Sequence, residues 1–223
     1  MSRPGPDRFL ACPHCGARAR KGTFSSLSFM GSSRWSDGKR CSIPRLGPGI
    51  AACHRCERCF RLDDAKHVDP AEFQDPEGAF PSGFRWGYPP HVRELSEVEY
   101  LDALARGDFP DSPDVLRRVR FEAWWARNDP ARAPGFVGLD AGAWTPRARA
   151  NVGALSDSLG DAPHELHVRG EVLRELGAFA ESRRMLEAAL AIADSPDVRR
   201  LLELCEQRDS QVRLLHADGY LKP

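Results

Sequence analysis

No apolar run in the 223 residues approaches the roughly 18 that a bilayer-spanning helix needs, so no membrane span is expected. The opening residues, Met1-Ser2-Arg3-Pro4-Gly5-Pro6-Asp7, are polar and lead into no apolar core of a secretory leader. The expectation is therefore a cytoplasmic protein. The chain contains neither the phosphate-cradling G-x-x-x-x-G-K-[ST] nor the nucleophile elbow G-x-S-x-G. His164-Glu165-Leu166-His167 sets its imidazoles three apart, whereas the zinc-protease helix needs them four apart, so it reads as a solvated helix face. Asp63-Asp64 would point to opposite faces of a strand and reads as a cap for the next element. No catalytic constellation emerges, and the chain is expected not to be an enzyme.

Net charge is also missing, since 32 Lys/Arg balance 32 Asp/Glu. Lysine is scarce: 28 of the basic residues are Arg, which points to an Arg-biased genome as much as to a phosphate preference. The balance hides an asymmetry. Residues 1–67 carry 13 basic and 5 acidic side chains, a surplus of +8, and residues 68–223 carry the matching −8. Four thiolates on one zinc would lower the N-terminal surplus to +6. Such a split suits either a basic surface for nucleic acid or an acidic partner, or two halves that complement each other internally.

Six of the seven cysteines lie between residues 12 and 59, and Cys205 stands apart. An odd count arranged as C-x-x-C pairs, with no export signal, argues for metal rather than disulfides. Cys12-Pro13-His14-Cys15-Gly16 forms a zinc knuckle: two sulfurs reach one ion, and Gly16 permits the tight turn that aims backbone N–H groups at them. A closed tetrahedral site needs two more ligands, which the run Cys53-His54-Arg55-Cys56-Glu57-Arg58-Cys59 supplies in two overlapping ways. Ile50-Ala51-Ala52 reads as a strand entering a knuckle and Phe60-Arg61-Leu62 as one leaving it, which favours Cys53 with Cys56. Cys56 with Cys59 is the competing pair. The iron–sulfur pattern C-x-x-C-x-x-C-x-x-x-C-P fails because Asp63 and Asp64 stand where its last residues belong. Four cysteines close the shell, so the expected cofactor is one structural Zn2+.

Residues 68–95 hold Pro70, Pro76, Pro81, Pro89 and Pro90 interleaved with Phe73, Phe80, Phe84, Trp86 and Tyr88. A flexible linker has no use for five aromatics, so an ordered strap is expected there. From residue 96 the period becomes helical. Ser96 with Glu99 makes a capping box, and Ser112-Pro113, Thr145-Pro146 and Ser195-Pro196 each open a helix. Six short helices are expected over residues 96–223, with Asn128-Asp129-Pro130 stopping the second. The fold class is α+β, mostly α: a small β zinc ribbon over residues 1–67, a strap over 68–95 and a helical domain over 96–223.

Within that domain, Gly170, Leu173, Gly177, Phe179, Leu186, Ala189 and Leu190 resemble the spacing of a tetratricopeptide repeat at about residues 163–196. Small residues there let two antiparallel helices approach closely. Ser182 stands where that repeat prefers Ala. More widely, the chain resembles a family of bacterial zinc-ribbon proteins with a tetratricopeptide-like C-terminal region and no assigned activity. The resemblance rests on the Cys12–Gly16 knuckle, Trp35-Ser36-Asp37-Gly38-Lys39, Cys53-x-x-Cys56 followed by Leu62-Asp63-Asp64-Ala65, Ala123-Trp124-Trp125-Ala126-Arg127-Asn128-Asp129, and Leu173-Arg174-Glu175-Leu176-Gly177. It implies Cys53 and Cys56 as the second pair, with Glu57 in place of the usual Gly.

Three functional expectations follow. The first is a zinc-ribbon adaptor that binds a protein partner along the first helix of the repeat, at His167, Arg169 and Arg174. The second is a nucleic-acid-associated protein whose Arg18, Arg20, Lys21, Arg34, Lys39, Arg40, Arg55 and Arg58 meet phosphates. The third is a zinc–thiol redox sensor that uses Cys59 or Cys41. Adjacent Trp124 and Trp125 project about 100° apart on a helix, so one is expected in the helical core and the other against the zinc domain or the strap.

Overall fold

The computed structural model describes residues 2–27, 31–43, 47–69, 89–132 and 143–217. The five strap aromatics lie outside the described residues. The α+β, mostly α expectation holds, with 46% helix and 19% strand.

The N-terminal strands are short, as a Gly- and Arg-rich sequence with few consecutive apolar residues requires. β2 (Arg8–Ala11) pairs antiparallel with both β3 (Arg18–Lys21) and β9 (Lys66–Val68). β1 (Arg3–Pro4) pairs with β4 (Phe24–Ser26), and β7 (Ile50–Ala52) with β8 (Cys59–Arg61). Leu10, Cys12, Ala17, Ala51, Cys53, Phe60 and Leu62 form the small core beneath the cysteines.

Six helices follow: α1 (Glu97–Arg106), α2 (Pro113–Asn128), α3 (Pro146–Asp157), α4 (Pro163–Glu175), α5 (Phe179–Ile192) and α6 (Pro196–Glu206). The expected capping box is formed at α1, where Ser96 Oγ accepts from the Glu99 amide and the Glu99 carboxylate from the Ser96 amide. Thr145 and Ser195 likewise cap α3 and α6. Ala162 stands at the N-cap of α4 without a side-chain cap, and Asp161 before it pairs with Arg169.

α4 and α5 form the close pair that the repeat-like spacing predicts. A Cβ built at Gly170 would sit 2.7 Å from Leu186 Cγ and Cδ2, so only glycine lets the two helices approach this far. Ser182, the departure from the Ala preference, is fully buried. Its hydroxyl donates to the Gly170 carbonyl at 2.6 Å and lies 3.2 Å from Cys205 Sγ, so its polar atom is satisfied inside the core.

The boundary at residue 67 does not separate the contacts. β5 (Gly31–Trp35) and β6 (Arg40–Ile43) form a hairpin that takes β10 (Leu214–Ala217), near the far end of the chain, as its third strand. Residues 89–95 run beside β3, with the Arg20 amide donating to the Pro90 carbonyl and the Val92 amide to the Arg20 carbonyl. One apolar cluster joins Ile50 and Cys59 of the ribbon to Leu95, Tyr100, Leu101, Phe109, Val119 and Ala123. No helix among the described residues is long and apolar enough to cross a membrane.

Candidate metal centre

Two knuckles face one another. In the first, the Gly16 amide donates to the Cys12 carbonyl at 2.9 Å and the Cys12 amide to the Ala17 carbonyl at 2.8 Å. Gly16 has φ +72°, the left-handed conformation that the turn demands. The second knuckle repeats these bonds, Glu57 amide to Cys53 carbonyl and Cys53 amide to Arg58 carbonyl, each at 2.9 Å. Here a glutamate takes the left-handed position, at φ +58°, so the missing glycine is replaced at a cost in backbone strain.

The four sulfurs of Cys12, Cys15, Cys53 and Cys56 all lie within 4.8 Å of one another, and among the described residues they are the one group of this kind. Cys15 to Cys53 is 3.6 Å and Cys12 to Cys56 is 3.9 Å. These spans exclude disulfides, whose sulfurs sit about 2.05 Å apart. They match the edge of a tetrahedron with metal–sulfur bonds of about 2.3 Å, which is roughly 3.8 Å. The set can therefore hold one metal ion. Burial pushes the Cys12 thiol up to about 12, while the Ala17 amide, bonding to the Cys15 sulfur, lowers that thiol to about 7.

Cys59, the alternative ligand, is elsewhere. Its side chain is buried in the apolar cluster between ribbon and helices, and burial pushes its thiol up to about 11. A thiol so protonated and enclosed is a poor nucleophile, which removes the physical basis for Cys59 as a redox sensor; Cys41 is half-buried on β6. The Cys59 amide donates to Asp108 at 2.9 Å, and Arg58 and Arg106 donate to the same carboxylate. Burial works to raise the Asp108 carboxyl, but Arg106, the Cys59 amide and Arg58 outweigh it and hold it below its ordinary range.

The proposed phosphate contacts are largely engaged inside the molecule. Arg20 pairs with Asp7 at 3.2 Å, Arg34 with Asp197 at 2.9 Å, Lys39 with Asp129 at 2.6 Å and Arg58 with Asp108 at 3.0 Å. Three of these four acids belong to the acidic helical half, so part of the charge asymmetry is internal complementarity. Lys21 donates to the Pro48 carbonyl at 3.2 Å. Arg18, Arg40 and Arg55 are exposed.

Of the three predicted partner contacts, His167 and Arg169 are half-buried on α4. Arg174 is a correction. Its side chain is fully enclosed, forked onto Glu171 at 2.6 and 2.7 Å and donating to the Asp209 and Gln211 carbonyls. The segment after α6 folds back over it, so it offers nothing to a partner.

A buried polar junction escaped sequence reasoning. Asp37, in the β5–β6 turn, is fully buried and accepts from Arg132 and from Asn128 Nδ2, the latter at 3.0 Å. Asn128 also donates to Glu175, and Trp124 Nε1 donates to Glu175 Oε2 at 2.8 Å. Trp125 Nε1 donates to the Asp37 carbonyl at 3.0 Å. Thus Trp124 fills the helical core and Trp125 meets the N-terminal segment, as the 100° offset predicts. Burial, then the Glu171 carboxylate, push Glu175 up to about 8, and burial brings Arg132 down to about 10. The three motifs Trp35–Lys39, Ala123–Asp129 and Leu173–Gly177 meet here. Trp beside Asp or Asn in the first two, and Arg174-Glu175 in the third, was the available signal.

In comparisons with family models, curated proteins and solved structures, nothing matches the chain.

Proposed function

We propose that the protein is a non-enzymatic adaptor: a ribbon held by one structural Zn2+ on Cys12, Cys15, Cys53 and Cys56, joined to a tetratricopeptide-like helical unit that binds a protein partner in the cytoplasm. The observation that carries the reading is the four-sulfur cluster, whose edges match a closed tetrahedral shell with no position left for substrate. Zinc suits the donor set because four thiolates in a tetrahedron favour it or an iron–sulfur centre, and the ferredoxin spacing is absent. All seven cysteines are free thiols, in keeping with a reducing compartment. The helical unit leaves Ile192 exposed at the end of α5, with His167 and Arg169 on α4.

Elemental analysis of the purified chain tests the centre. One zinc per chain is expected, lost in Cys12→Ser and Cys56→Ser and retained in Cys59→Ser; iron, or no metal, refutes it. A tagged pull-down from the native host, with and without nuclease, tests the adaptor. A defined protein that survives nuclease supports it. Nucleic acid in the eluate, whose binding falls steeply with salt as counterions are released, moves the function to the ribbon's exposed Arg18, Arg40 and Arg55.

A further inference from the structure

A cavity of about 380 Å³ lies between the β5–β6 hairpin and helices α4, α5 and α6. Its volume falls in the range of small-molecule sites. The wall is mostly carbon: Trp35, Val168, Ala189, Ala193 and Val198. The Trp35 indole N–H is already donated to Ser33 Oγ at 3.2 Å, so its ring offers the cavity only apolar surface.

Basic residue types outnumber acidic ones around this wall. Arg34, Arg40, His164 and His167 line the cavity against a single carboxylate, Asp197, and Arg34 already holds that carboxylate at 2.9 Å. Arg40 makes no ion pair among the described residues. His167 Nε2 is enclosed and has no hydrogen-bond partner among the described residues, so this nitrogen is not exposed to the cavity. An apolar chamber with the Arg40 guanidinium among its lining, in no ion pair among the described residues, asks for an anionic head on an apolar body.

We propose that this cavity binds a small organic carboxylate, its aromatic or branched aliphatic body against Trp35 and Val198, and its carboxylate on the guanidinium of Arg40. The planar guanidinium of Arg40 matches a carboxylate through two parallel N–H donors. The free acid is chosen over a peptide C-terminus because a volume of about 380 Å³ is matched by one small apolar body. The inference is independent of the metal's identity and of the adaptor reading.

The test is calorimetric titration of the full-length, metal-loaded protein with phenylacetate, 4-methylpentanoate, phenylacetamide, inorganic phosphate and N-acetyl-Gly-Phe. Saturable binding of both carboxylates is expected, with the neutral amide at least tenfold weaker. Arg40→Gln, at an exposed position, should weaken the carboxylates at least tenfold and leave the amide unchanged. Ala193→Leu, at the cavity rim, should weaken every apolar probe. Unchanged melting temperatures in both variants would show that the fold is intact. No saturable binding of either acid, equal binding of acid and amide, or indifference to Arg40→Gln overturns the proposal. Phosphate binding as tightly as phenylacetate overturns the carboxylate assignment, and a peptide binding tenfold tighter than either acid overturns the choice of a free acid.

Discussion

Replacing Asp37 by Asn removes one negative charge from the buried junction while keeping the side chain's shape. In the native protein the Asp37 carboxylate is wholly enclosed, and its partner Arg132 has a side chain only 3% exposed. Breaking a buried pair from one side costs about 3–5 kcal/mol, since the surviving charge stays desolvated. Arg132 retains Asp129 at 2.6 Å and the Trp125 carbonyl at 2.8 Å, but Asp129 is 40% exposed and partly screened. The expected loss therefore sits at the lower end, about 3 kcal/mol. That is a sizeable part of a typical native stability of about 5–15 kcal/mol and corresponds to roughly 6–12 °C in melting temperature. Urea unfolding at fixed zinc would measure it. Arg132→Met alone should cost a similar amount, and the double variant should recover most of the loss, because neither charge is then left unpaired in the interior. A D37N cost below about 0.5 kcal/mol, or simple additivity in the double-mutant cycle, would refute the view that this pair joins hairpin and helices.

Three further outcomes are expected. Glu57→Gly should stabilise the protein by about 0.5–1 kcal/mol by relieving a left-handed glutamate, and Gly16→Ala should destabilise it by about 1 kcal/mol; urea midpoints with zinc bound would check both. Gly170→Ala should cost about 1–2 kcal/mol net, overpacking against Leu186 outweighing the better helix propensity of Ala, and the penalty should vanish in a Leu186→Ala background. The Glu175 carboxyl is raised from 4.5 to about 8 in the folded chain. Its contribution to stability is thus full below about pH 4.5 and fades as pH climbs through 8. Glu175→Gln stays neutral throughout, so its stability relative to the native protein should rise between pH 5 and 9; a flat difference would contradict the assignment.

Features set by neighbours in sequence were legible. The helices announced themselves through apolar period and caps, because both depend on residues three or four apart. The first metal pair was legible for the same reason. The third strand of the hairpin was not: Leu214 meets Trp35 across most of the chain, and no local pattern specifies so distant a partner. Arg174 misled because an arginine in a helix is ordinarily solvated, and its covering segment arrives only at Asp209 and Gln211. Asn128-Asp129 was read as a helix stop, which it is, yet Asn128 is also buried against Asp37 and Glu175.

The cysteine run Cys53–Cys59 shows where spacing stops being informative and packing takes over. Both C-x-x-C pairs can reach a metal by length alone. What separates them is the turn: the knuckle closes at Glu57, whose left-handed backbone sends the chain into β8, which begins at Cys59. Once in a strand, Cys59 is committed by alternation to one face, and that face carries it into the apolar cluster with Ile50, Leu95 and Tyr100. Its amide is then held by Asp108, the carboxylate that also takes Arg58 and Arg106. A centre built from Cys56 and Cys59 would have to unmake that strand, expose an apolar contact and release a buried carboxylate's partner. The same residues that exclude Cys59 from the four-sulfur cluster thus attach the ribbon to the helices, so Cys59→Ser should leave the metal content unchanged while weakening the joint between them.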